Sequence, residues 1–75
     1  MKEIKQFFVN IGKTNIDENT KNLVSDGLID SLDIMNLINE IEIFYKQELD
    51  FDYINEENFE SFESIEETIK KAFDL

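Results

Sequence analysis

The segment Gly27-Leu28-Ile29-Asp30-Ser31-Leu32-Asp33 contains the one hydroxyl whose setting suggests chemistry. It places a serine where a run of turn-forming residues gives way to an amphipathic pattern. A helix start offers unpaired N–H groups and partial positive charge, so its first residue tolerates a phosphodiester. The same residue is poorly equipped as a catalytic nucleophile. The 75 residues include no His and no Cys, and Asp30 and Asp33 are weak bases at neutral pH. Ser31 therefore reads as a substrate of another enzyme, not as part of an active site. A plainer reading is that Asp30-Ser31 only caps a helix. The two readings are compatible.

Four elements must position that serine. Ile4, Phe7, Phe8 and Ile11 fall at i, i+3, i+4 and i+7, which predicts a helix from Lys2 to about Ile11, stopped by Gly12. A long connection follows, Lys13 to Asp30, rich in Asn, Asp, Ser and Gly. Ile16, Leu23, Val24, Leu28 and Ile29 are scattered along it and are expected to pin it to the core. Ser31 to about Lys46 is the main helix, with an apolar stripe of Ile34, Leu37, Ile38, Ile41, Phe44 and Tyr45. Leu49 to Tyr53 is expected to be extended loop, and Asn55 to Phe59 one or two helical turns. The last helix is capped by Ser61 or by Ser64, the latter with Glu67 three residues on. Ile65, Ile69, Ala72 and Phe73 form its apolar face. Phe51, Phe59, Phe62 and Phe73 are expected to pack in the core, or to line a space for an apolar chain. The expected fold is all-α, a single domain over residues 1–75: an up-and-down-like bundle of three main helices and one short one, with a long first loop.

Composition excludes several functions. Eighteen Asp and Glu oppose seven Lys and Arg, a net charge of −11. That balance offers no basic patch for nucleic acid or anionic lipid. It suits encounters with basic protein surfaces. Without Cys or His there is no disulfide framework, thiolate zinc site or Ser–His pair. Gly12 and Gly27 are too far apart for a phosphate-cradling loop. No apolar run approaches the length of a membrane span. Phe7-Phe8-Val9 is too short for a signal-peptide core, so the expected compartment is the cytoplasm. Asp50-x-Asp52 begins like a calcium loop, but Asn55 stands where Gly is needed and Ser61 where Glu is needed. No metal site is expected.

The joint pattern resembles the acyl carrier protein superfamily, which includes peptidyl and D-alanyl carriers. Asp30-Ser31-Leu32 within Gly27 to Asp33 carries the resemblance, together with the apolar spacing of the helix that follows, the acidic loop and the capped last helix. It covers essentially the whole chain. Gly27 stands three residues before Asp30, a spacing more like D-alanyl, peptidyl-type and stand-alone specialised carriers than fatty-acid-synthesis carriers. The resemblance implies a four-helix carrier fold and attachment of 4′-phosphopantetheine from coenzyme A to Ser31, flanked by Asp30 and Leu32. A phosphopantetheinyl transferase would perform the attachment, and the arm would hold acyl or aminoacyl cargo as a thioester. The chain would be a non-catalytic, monomeric carrier, serving a specialised biosynthetic pathway or carrying D-alanine or amino acids for envelope or peptide synthesis. Its partners would be loading ligases and acyltransferase-type enzymes with basic docking surfaces. Asp30, Leu32, Asp33, Met35, Glu40 and Glu42 would form its docking face. The competing class is an acidic helical interaction module without a prosthetic group.

Overall fold

The computed structural model describes residues 1–75. Three α-helices carry the fold: α1 (Glu3–Asn10), α2 (Ser31–Tyr45) and α3 (Phe62–Ala72). Two short 3₁₀ segments lie between α2 and α3: Phe51–Tyr53, where extended loop was expected, and Glu56–Phe59, in place of the expected short fourth helix. Local side-chain bonds stop a longer helix there. The Asp50 carboxylate accepts the Asp52 N–H at 2.9 Å, and Asn55 Oδ1 accepts the Asn58 N–H at 3.1 Å. Asn58 Nδ2 in turn donates to the Tyr53 carbonyl at 2.8 Å. Each bond closes a single turn and competes with propagation.

The helix ends follow from sequence. α1 ends in a Schellman arrangement: Gly12 N–H donates to the Val9 carbonyl at 3.0 Å and Lys13 N–H to the Phe8 carbonyl at 2.8 Å. Gly12 adopts φ +86°, a conformation without steric penalty only for glycine. Between the alternatives for α3, Ser61 is the cap. Its Oγ accepts the Ser64 N–H while Ser64 Oγ accepts the Ser61 N–H, both at 3.1 Å. Ser64 is thus consumed as the reciprocal partner.

Side-chain pairs define the topology. Asn10 of α1 donates to Glu40 of α2 at 2.6 Å, and Tyr45 donates to Glu3, so α1 and α2 are antiparallel. Phe62 at the start of α3 stacks on Phe8 near the end of α1, with ring centroids 4.9 Å apart. Phe73 beyond the end of α3 meets Tyr45 at the end of α2, at 5.2 Å. α3 therefore runs antiparallel to α1 and parallel to α2. The α2–α3 connection, with its two 3₁₀ turns, carries the chain back to the pole where α2 begins.

Sixteen apolar side chains form one buried cluster. They include Ile4, Phe7 and Phe8 of α1, Ile34, Leu37, Ile38 and Ile41 of α2, and Phe62, Ile65 and Ile69 of α3. Ile16, Leu23 and Ile29 pin the long loop, as their apolar character predicts. Leu28 instead lies 40% exposed. Two aromatic expectations fail. Phe51 is 81% exposed, because it sits on a solvent-side turn while Leu49 and Phe59 fill the core beside it in sequence. Phe44 is 55% exposed: it lies at the margin of the α2 stripe, with its edge against Phe7.

Candidate functional site

The Ser31 segment stands at one pole, at the start of α2. Asp30 is the N-cap in extended conformation, and Ser31 is the first helical residue. Asp30 Oδ1 accepts the Asp33 N–H at 2.9 Å, and Asp33 Oδ2 accepts the Asp30 N–H at 3.1 Å. This capping box uses Asp at its third position, where Glu is more usual. The capping role expected of Asp30-Ser31 therefore falls to Asp30 alone. Ser31 is exposed, and its hydroxyl makes no hydrogen bond within the protein.

The neighbouring carboxylate is a poor base for that hydroxyl. The Asp33 backbone N–H holds the Asp30 carboxyl below the usual carboxylate range, which makes Asp30 a weaker base still. Lys13 approaches the other member of the box, at 3.4 Å from Asp33. The arrangement presents a neutral primary alcohol on a rigid helix start to any enzyme that reaches the pole. It supplies no group to activate it.

The other expected docking residues divide in two. Leu32 and Met35 are 68% and 59% exposed, so neither belongs to the core. With Ile43, also exposed, they lie on the face of α2 opposite its buried stripe, and Asn36 and Asn39 share that face. The acids flank it and already have partners. Glu40 accepts from Asn10, and Glu42 Oε2 accepts the Leu49 N–H at 2.8 Å. Asp33 is engaged by the cap and by Lys13. The centre of the face is thus apolar and amide in character.

One residue that sequence spacing does not reveal also belongs to this pole. Glu60, just before α3, accepts the N–H groups of Val24 at 2.9 Å and Ser25 at 3.0 Å, and the Ser25 hydroxyl as well. Its own carbonyl accepts the Leu23 N–H at 2.9 Å. The Ser25 hydroxyl and N–H hold the Glu60 carboxyl below the ordinary glutamate range. These partners are 35 and 36 residues away in the chain. A run of nine acids with no base between Glu48 and Glu67 gives no hint which of them turns inward.

Comparison with protein-family profiles, curated proteins and solved structures found no match to this chain.

Proposed function

We propose that this chain is a carrier protein of the acyl carrier type, modified with 4′-phosphopantetheine at Ser31. The observation that carries the reading is the combination at one residue: an exposed, unbonded hydroxyl on the first residue of a capped helix, with only weak carboxylate bases beside it. A helix start of this kind suits the phosphodiester that attachment creates. The capping box leaves the Ser31 side chain outside the hydrogen bonds that define the helix start, so substitution there need not disturb the fold. The bound arm would supply the thiol that a chain without Cys lacks, and with it acyl or aminoacyl carriage.

The chain's own tasks under this reading are presentation and docking. α2 would present Ser31 at the pole and offer Leu32, Met35 and Ile43 to a partner enzyme. The acids Asp33, Glu40 and Glu42 would frame that contact. Phosphopantetheinyl transferase and loading enzymes are the partner classes this reading requires.

Intact-mass measurement after incubation with coenzyme A, Mg²⁺ and a broad-specificity phosphopantetheinyl transferase tests the reading. The wild type is expected to gain one phosphopantetheine and Ser31→Ala none. No gain on the wild type, or the same gain on Ser31→Ala, refutes it.

A further inference from the structure

We infer that Glu60 is a positioning residue for Ser31: it holds the turn that leads into Asp30-Ser31 in the form a phosphopantetheinyl transferase accepts. This rests on the carrier reading above. Residues Asn22 to Leu28 form a compact turn. Asp26 N–H donates to the Asn22 carbonyl at 2.8 Å, Gly27 N–H to that of Val24 at 3.0 Å, and Leu28 N–H to that of Leu23 at 2.9 Å. Asn22 has φ +55° and Gly27 φ +72°, so both ends of the turn use left-handed backbone. Asn tolerates this better than most residues, yet the conformation needs outside support.

The N–H groups of Val24 and Ser25 point out of the start of this turn. A helical start leaves such groups unpaired, and a local Ser, Asn or Asp side chain usually takes them. Here the Glu60 carboxylate does so from the far side of the sequence, while the Glu60 carbonyl takes Leu23. Between Ser25 and the Asp30 cap, buried Ile29 also holds the chain, and its N–H donates to the carbonyl of Leu23 at 3.0 Å. The hydrogen bonds that Glu60 accepts therefore tie the approach to Ser31 to the start of α3.

The step served is phosphoryl transfer from coenzyme A. The Ser31 Oγ–P bond forms, the pyrophosphate P–O bond of coenzyme A breaks, 3′,5′-ADP leaves, and the hydroxyl proton passes to a base on the transferase. Glu60 takes no part in these bond changes. It raises the fraction of chains whose Ser31 pole is correctly set, and a lower competent fraction appears as a raised KM.

The test is transfer kinetics on the full chain with a broad-specificity transferase, alongside amide exchange. Glu60→Ala is expected to raise KM for the chain about 5-fold or more, with kcat within about 2-fold. Val24 and Ser25 amides exchange faster, while those in the middle of α2 keep their protection. Glu60→Gln retains an acceptor oxygen and restores most of the loss. Ser25→Ala, which removes one hydroxyl contact only, moves KM less and in the same direction. Glu3→Gln, which disturbs the opposite pole through Tyr45, serves as the control for general loosening and leaves KM unchanged. Wild-type KM in Glu60→Ala, or an equal rise in Glu3→Gln, overturns the positioning role while the carrier reading stands. No modification of the wild type overturns both.

Discussion

Ser31 sits one residue inside its helix, and Asp30 does the capping. A serine at the cap would be worth about 1 kcal/mol against alanine, whereas an exposed first-turn serine is worth little. Ser31→Ala is therefore expected to change unfolding free energy in urea by no more than about 0.5 kcal/mol. A larger loss would mean that the hydroxyl has a structural partner. At the opposite pole, Tyr45 donates to the Glu3 carboxylate. Burial, and then the bond to Glu3, push the Tyr45 phenol above the ordinary tyrosine range, while that bond pulls Glu3 below the glutamate range. Tyr45→Phe is expected to cost about 1 kcal/mol at pH 7, a charge-assisted bond reduced by its partial exposure. The sign with pH follows from the raised folded value. The Tyr45 contribution is complete below the unfolded value of about 10 and fades as pH rises through the folded one. The gap between wild type and Tyr45→Phe, followed by urea melts, should narrow above about pH 10. A gap that widens there would contradict the bond.

Each helix owes its limits to a different device. α1 stops at a glycine that accepts positive φ, and α3 starts at a serine pair. α2 ends on Lys46, which is left-handed at φ +56° without being glycine. A side chain there costs about 1 kcal/mol in the folded state, partly offset by the lower entropy of its unfolded chain. Lys46→Gly should therefore stabilise the protein by up to about 0.5 kcal/mol, read as a higher urea midpoint with an unchanged m-value. A lower midpoint would show that Lys46 makes a contact worth more than its backbone strain. The connection after α2 departs from its own alternating pattern. Leu49-Asp50-Phe51-Asp52-Tyr53 alternates apolar and acidic residues, yet Leu49 is buried and Phe51 is exposed. The Asp50 cap closes a 3₁₀ turn, and that turn breaks the period of two on which an alternating pattern depends.

The whole molecule carries a net charge of −11 and four ion pairs, each at least partly exposed. Pairs of that kind contribute little, while repulsion among the unpaired acids is spread over the surface. Added salt screens both, and the repulsion is the larger. The melting temperature is expected to rise by several degrees between about 0.02 M and 0.5 M NaCl. A fall would mean that the four attractive pairs dominate. The exposed face of α2 is apolar at its centre, at Leu32, Met35 and Ile43, and its flanking acids are bonded within the chain. Charge on this molecule therefore belongs more to the overall field than to that face.

The helices, most of their ends and most of the core were legible in the residue order. Those properties depend on neighbours three or four residues apart, and Ile4-Phe7-Phe8, Ile34-Leu37-Ile38-Ile41 and Ile65-Ile69 state them directly. The residue order also singled out Ser31, because a cap and a turn-rich approach are local signals. Packing between distant segments set the direction of α3 beside α2, the exposure of Phe44, and the reach of Glu60 to Val24 and Ser25. These are outcomes of long-range packing. A carboxylate that bonds to backbone 35 residues away obeys no spacing rule, because its partner is chosen by how the helices come together.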